Sequence, residues 1–204
     1  MQQTDLFGQP QEAAPEQVHP ALVLQEHPAE GYRSRTLINA QQADLTVAFA
    51  VDFDTAGERL TKSAAAGRYV AVAHATPVSA AVNALCDALK RLPGPAVLNV
   101  AGNGLYTFQA KLGMGQSDVN AWLLEVLGGV HQVHKIGRIR SGGQTGADTA
   151  GLVAALALGI PALGLYPKGF LRRNTAGKDF TSSASDLERE LRDAAAQLQR
   201  SAAT

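Results

Sequence analysis

Short apolar runs separated by polar, helix-forming stretches recur along most of the chain. Residues 45–51 (LTVAFAV), 69–74 (YVAVAH), 96–101 (AVLNVA), 136–140 and 160–165 are rich in Val, Ile, Leu and Ala and show no strict alternation. Short runs of this kind read as strands buried on both faces. Between them, residues 33–42, 56–66, 77–91, 117–130 and 147–158 read as helices, with Leu37 and Ile38 turned inward in the first and Trp122, Leu123 and Val126 on one face of the fourth. Thr76 is a predicted N-cap ahead of Pro77 at the first helical position, and Pro93-Gly94-Pro95 stops that helix. Ser117 is a predicted cap for the next, Gly159 follows the fifth as its C′ residue, and Ser185 with Glu188 reads as a capping box for a last helix reaching about residue 199. Residues 105–116 (LYTFQAKLGMGQ) are dotted with glycine and predict an irregular hairpin or lid. Alternating strands and helices predict an α/β fold: a doubly wound, Rossmann-like, mainly parallel sheet of about five or more strands with helices on both faces. Ligands of such sheets sit beyond the carboxyl ends of the strands. That edge collects residues 52–57, 74–77, 102–104, 141–146 and 166–169.

The first 30 residues break the pattern. They are rich in Gln, Pro and Glu, with one apolar cluster at residues 21–24. The expected organisation is a disordered or loosely attached tail over residues 1–30 and a single ligand-binding domain over 31–204. A chain of 204 residues, 46% hydrophobic, suffices for one domain with a substantial core. Eighteen basic and 18 acidic residues give a formal net charge of +0, which excludes bulk electrostatic binding of nucleic acid or anionic membrane. No run approaches the roughly 20 apolar residues of a membrane span, and the N-terminus has neither the basic nor the apolar region of a signal peptide. The single cysteine, Cys86, excludes an internal disulfide and reads as a small core residue. A cytoplasmic protein without a membrane partner is expected. His131 and His134 lie three apart near a helix end, but with no third ligand in the sequence no metal site is predicted.

The segment SGGQTGAD at residues 141–148 carries the most chemical information. A strand enters it and a helix leaves it. Glycines let the backbone turn tightly and approach a ligand, and the first N–H groups of a helix are an anion site. Ser141, Gly142, Gly143, Gln144, Thr145 and Gly146 are therefore candidate phosphate-binding residues. The segment is neither a P-loop, since no Gly-Lys-Ser/Thr follows, nor a dinucleotide fingerprint, since its first two glycines are adjacent. The plain alternative is a strand–helix turn that binds nothing. Lys168 and Gly169 follow the next strand and are placed beside the turn as further phosphate contacts, with Arg172 and Arg173 extending the positive patch. Asp148 sits awkwardly beside an anion, and three roles stay open: helix cap, arginine partner, or hydrogen-bond partner of a sugar or base. His74, at a strand end on the same edge, is a candidate pocket residue, with an equal case for no ligand contact.

The stretch SGGQTGADTAGLVAALALGIPALGLYPKG closely resembles the opening segment of the molybdenum cofactor carrier family. That family is part of the SLOG group of Rossmann-like proteins, which includes LOG hydrolases and DprA-type DNA-processing proteins. Residues 32–39 (YRSRTLIN) resemble its YxxRTxxN segment, residues 43–46 (ADLT) its strand entry, and residues 98–102 (LNVAG) its strand end. Residues 54–61 (DTAGERLT) resemble its glycine–threonine loop loosely. The order differs: in the family the SGGQTG segment comes first. A circular permutation of the same sheet is inferred, which requires the region around Tyr32 to lie near residues 169–180. The resemblance implies a pocket for a phosphate-bearing ligand, such as the molybdenum cofactor or a nucleotide. Its expected lining is Arg35, Asn39, Asp54, Thr55, His74, Gly102, Asn103 and Asp148.

Three functional classes follow. A binding protein for a phosphorylated small molecule comes first, because most candidate polar residues are donors and no Ser–His–acid arrangement is present. A LOG-like nucleotide N-glycoside hydrolase is the alternative, which needs a carboxylate beside the sugar; Asp148 and Asp54 are the candidates. The third is a nucleotide-sensing or DNA-processing accessory protein, because Gln3, Leu6 and Phe7 resemble the short Q-x-x-L-F motif that binds the DNA sliding clamp; five residues match by chance often, and an unremarkable tail is the favoured alternative. Related SLOG proteins form dimers or larger units, so a homo-oligomer is also expected by resemblance.

Overall fold

A computed structural model describes residues 21–202 of the chain. Its elements run β1 (Leu22–Glu26), α1 (Arg33–Gln41), β2 (Leu45–Ala50), α2 (Ala56–Ala65), β3 (Tyr69–Ala73), α3 (Val78–Leu89) and β4 (Ala96–Gly102). They continue α4 (Leu105–Leu112), α5 (Gln116–Val133), β5 (Ile136–Ser141), α6 (Ala147–Ala157), β6 (Ala162–Tyr166), β7 (Arg172–Arg173), β8 (Asp179–Phe180) and α7 (Ala184–Ala202). Six strands form one parallel sheet in the order β1-β6-β5-β4-β2-β3, and β7 pairs antiparallel with β8 as a separate hairpin. Helices α3, α5, α6 and α7 pack in series, while α1 packs with α2. The fold is the doubly wound, Rossmann-like α/β class expected from the strand–helix alternation.

The central strands are mostly apolar because both their faces are covered, with Thr46, Asn99 and Arg140 as buried polar exceptions. Val47, Phe49, Leu98, Val100 and Ile139 are fully buried, and each such side chain contributes roughly 1.5–3 kcal/mol relative to exposure. Trp122 meets Phe49 edge-on at 5.3 Å and Phe108 at 6.2 Å, so it belongs to the core. Among the described residues no helix is long and apolar enough to cross a membrane.

Several local expectations are corrected. Leu22–Glu26, assigned to the tail by composition, is an edge strand paired with β6 from Leu22 opposite Ala162 to Glu26 opposite Tyr166. Only one of its faces is covered: Leu22 and Leu24 pack on the core while Val23 is exposed. Residues 1–20 of the predicted tail lie outside the described residues. The predicted hairpin or lid at 105–116 begins instead as helix α4, with Gly104 at its N-cap and Gly113 at its C-cap at φ 69°. The glycines bound a helix that the buried Leu105 and Phe108 dock on the core. The N-cap of α3 is Pro77, not Thr76. The N-cap of α5 is Gly115, whose N–H donates to Asp118 Oδ2 at 2.8 Å, so Ser117 falls inside the first turn. On α7 the capping pair is Ser183 and Asp186, where Ser183 Oγ accepts from the Asp186 N–H at 3.1 Å; Glu188 pairs with Arg192 instead of closing a box with Ser185.

The permuted order has a geometric basis. Helix α7 packs on α6 and β1, and β1 lies beside β6. The C-terminal helix therefore occupies the position of a crossover between two neighbouring parallel strands, in the same layer as the helices that join β4 to β5 and β5 to β6. Tyr32 Oη donates to Asp179 Oδ1 at 2.8 Å, and the Arg173 guanidinium lies 5.4 Å from the Tyr32 ring centroid. The region around Tyr32 thus lies against residues 169–180, as the permutation requires.

Candidate ligand-binding site

Because all six strands are parallel, the loops leaving their carboxyl ends and the helix starts that follow converge on one edge of the sheet. A cavity of about 500 Å³ opens there, over the ends of β4 and β5. Its wall includes Arg33, Arg35 and Asn39 from α1, Thr55 through Glu58 from the start of α2, Gly102 through Thr107 from the end of β4 and start of α4, and Gly142, Gln144, Thr145 and Asp148 from the glycine turn. The volume lies within the range of ligand pockets. Of the candidates read from the sequence, Arg35, Asn39, Thr55, Gly102, Asn103, Gly142, Gln144, Thr145 and Asp148 share this wall.

The glycine turn is built differently from an open anion cradle. The N–H of Gln144 donates to Asp148 Oδ2 at 3.3 Å, that of Thr145 to Gln144 Oε1 at 3.0 Å, that of Gly146 to Gln116 Oε1 at 2.7 Å, and that of Ala147 to the Asn103 carbonyl at 3.1 Å. Four successive donors are thus met within the chain. Two of the glycines make room for neighbouring side chains. A Cβ on Gly142 would come within 1.2 Å of Arg35 Nη1, and one on Gly143, at φ +69°, within 2.1 Å of the Tyr166 ring. Their lack of a side chain lets Arg35 reach Asp148 and lets Tyr166 pack beneath the turn.

Arg35 and Asp148 form a buried ion pair, Nη1 to Oδ2 at 2.7 Å, with side chains 10% and 6% exposed. Asp148 therefore takes the arginine-partner role among the three left open by the sequence. Burial pushes its carboxyl up, opposed by the Arg35 guanidinium and the Gln144 N–H. Nearby on the wall is Glu58, only 3% exposed. Burial, followed by the charges of Asp148 and Asp52, pushes its carboxyl up to about 8. Asn39 is 2% exposed, and its Oδ1 accepts from Arg140 Nε at 3.0 Å, which turns the amide nitrogen the other way. Among the described residues, Arg35 Nε, Asn39 Nδ2 and Glu58 Oε2 are buried without a hydrogen-bond partner. An unmatched buried polar group costs about 1–3 kcal/mol, and the three residues that carry these groups all belong to the wall of this cavity.

The start of α2 leaves backbone donors open on this wall. Thr55 caps it by accepting from the Glu58 N–H at 3.2 Å. The N–H groups of Ala56 and Gly57, in the first turn, have no acceptor among the described residues. Arg33, exposed at the first turn of α1, stands at the same mouth.

The remaining sequence candidates do not line the cavity. Ser141 is fully buried and its Oγ donates to the Val100 carbonyl at 2.7 Å. Gly143 and Gly146 lie behind the wall. Lys168 is exposed and faces Glu30 at 3.9 Å, while the Gly169 N–H donates to Glu26 Oε1. The pairing of β6 with β1 explains this, because it puts Glu26 and Glu30 beside the Pro-Lys-Gly turn. Asp54 stays outside, where its carbonyl accepts from Arg59. His74 packs on Trp122 with ring centroids 4.9 Å apart, a core contact. Sequence reasoning missed Glu58, Asn99 and Tyr106 as wall residues, while Arg173, read there as an extension of the positive patch, does line the wall. A glutamate in a first helical turn reads as a partner of the helix dipole, and nothing in the sequence signals its burial.

No curated protein and no solved structure matches the chain. Residues 139–181 match the model of cpYpsA, the circularly permutated YpsA SLOG family, which supports both the SLOG likeness and the permuted order.

Proposed function

We propose that the cavity binds a phosphorylated small molecule of nucleotide or pterin size, with its phosphate at the start of α2 and its polar ring or sugar toward Arg35, Asn39 and Glu58. The carrying observation is the set of unpartnered buried groups on those three residues, beside two free N–H groups at a helix N-terminus. The glycine turn then serves as scaffold: it seats Arg35 and Asp148. A molybdenum cofactor carrier and a nucleotide-binding protein both fit this chemistry, because each ligand joins a phosphate to a polar heterocycle.

The test is native mass spectrometry of the protein purified gently from a host that makes the molybdenum cofactor. The control is Gly57→Asp, since Gly57 has open space around a Cβ and an aspartate is tolerated in a first helical turn. The added carboxylate would stand where the phosphate goes. A bound molybdopterin or nucleotide mass, lost in the control, is the expected result. A wild-type protein that carries neither, and binds neither when supplied, refutes the reading.

Glu58 favours a second reading, a LOG-like N-glycoside hydrolase. A carboxyl raised to about 8 is largely protonated at neutral pH and suits a general acid. Water would add its hydroxyl to the sugar C1′ as the bond to the base breaks, with Glu58 giving its proton to the base and regaining one from the water. Release of free base from a nucleoside monophosphate, present below about pH 8 and absent in Glu58→Gln, is the expected signature.

A further inference from the structure

The β7–β8 hairpin stands outside the main sheet and is only two residue pairs long, Arg172 with Phe180 and Arg173 with Asp179. A ladder so short does not hold itself. Its root is fixed by Arg172, 5% exposed, which donates to both carboxylate oxygens of Glu190 on α7 at 2.8 Å. The hold on Arg173 is different. Its N–H donates to Gln144 Oε1 at 2.6 Å, and its carbonyl accepts from Thr145 Oγ1 at 2.5 Å. Both main-chain groups of one residue are gripped by two neighbouring side chains of the glycine turn.

The side chain so placed lines the cavity. The Arg173 guanidinium lies over the Tyr32 ring and pairs with Asp179 at 2.7 Å, but both partners of that pair are exposed, at 46% and 40%. An exposed ion pair is worth at most about 1 kcal/mol, so Asp179 is readily exchanged for a stronger anion. On the same wall are Arg33, Arg35 and the first residues of α2, Ala56 and Gly57, whose N–H groups have no acceptor among the described residues. Arginine matches phosphate through a fork of donors.

We propose that Arg173 is a binding residue that closes on the phosphate of the ligand, and that Gln144 and Thr145 are positioning residues that set it there. This rests on the phosphate-binding reading above. It also moves the role of Gln144 and Thr145 from touching the ligand to holding the residue that does. Lys168, the cation expected from the sequence, faces Glu30, and Arg173 takes its place.

Inorganic phosphate is the probe, and the readout is the rise in thermal-unfolding midpoint over chloride at matched ionic strength, fitted to a dissociation constant. In Arg173→Gln that constant is expected to increase about 10- to 100-fold, the range of a lost charge-assisted contact. In Thr145→Val it is expected to increase about fivefold, from loss of one positioning hydrogen bond. Thr145→Ser keeps the hydroxyl and is expected to retain the wild-type response, which separates positioning from general damage. A wild-type response that survives Arg173→Gln unchanged overturns the inference and leaves the phosphate reading standing, and loss in Thr145→Ser equal to that in Thr145→Val overturns the positioning role. A wild-type protein that does not respond to phosphate overturns both the inference and the reading it rests on.

Discussion

Replacing Glu58 by Gln is expected to change how stability depends on pH. In the folded chain the Glu58 carboxyl is held at about 8 by burial and by the charges of Asp148 and Asp52, against an ordinary value of 4.5. Between these values the folded state keeps a proton that the unfolded state has released, so stability falls as pH rises. The contribution is fully present below about 4.5 and is gone above about 8. At about 1.4 kcal/mol for each pH unit, the wild type gives up roughly 4–5 kcal/mol across that window through this one group. Gln is neutral and nearly the same shape, so the variant escapes that loss. Urea unfolding of both proteins at pH 5 and at pH 8.5 yields the double difference, in which titrating groups that do not interact with Glu58 cancel. The variant is expected to be closer to, or above, the wild type at the higher pH by several kcal/mol. Parallel pH profiles for the two proteins would show that Glu58 ionises freely and would remove the basis for giving it an acid's role.

Other perturbations probe the frame. Gly143→Ala puts a Cβ into the Tyr166 ring at a φ of +69° and is expected to cost about 3 kcal/mol or more, read as a lower thermal midpoint; an unchanged midpoint contradicts the packing described for the turn. Joining Ala202 to residue 21 through a Gly/Ser linker and opening the chain between His134 and Lys135 makes α7 a true β6–β1 crossover. This variant is expected to unfold cooperatively and to keep the phosphate response, and a molten product counts against the permutation. The clamp motif at Gln3, Leu6 and Phe7 lies outside the described residues; so short a match often arises by chance, and a labelled peptide of residues 1–12 that shows no saturable binding to a sliding clamp disposes of that partner.

The strands of the sheet interior were legible because both their faces are covered, which turns them into short, mostly apolar runs such as LTVAFA. The edge strand β1 was hidden for the opposite reason: with one covered face it mixes Leu22 and Leu24 with exposed positions inside a polar stretch. Helix α4 was lost because its flanking glycines, which terminate it, read as a sign of irregularity. At the cavity, Arg35 and Asn39 came from the family resemblance and do line the wall. Arg173 came from the positive patch after the Pro-Lys-Gly turn, but Glu58 was not legible, because its burial depends on contacts between segments far apart in sequence. The glycines of the turn were noticed for closeness to a ligand, whereas Gly142 and Gly143 answer to Arg35 and Tyr166.

Among the described residues strand β1 pairs only with β6, so Leu22 finds its partner at Ala162. During synthesis β1, which precedes every other strand among the described residues, therefore has no place in the sheet until β6 has been made. Strands β2, β3 and β4 can pair as they emerge, but the Arg35–Asp148 bond, spanning 113 positions, closes late as well. A nascent chain stalled before residue 148 would display an ordered half-sheet with an unpaired edge and no cavity, exposed to chaperones and to pairing with its neighbours on a polysome. Rearranging the order of segments leaves the finished sheet unaltered while lengthening the interval in which its oldest strand waits.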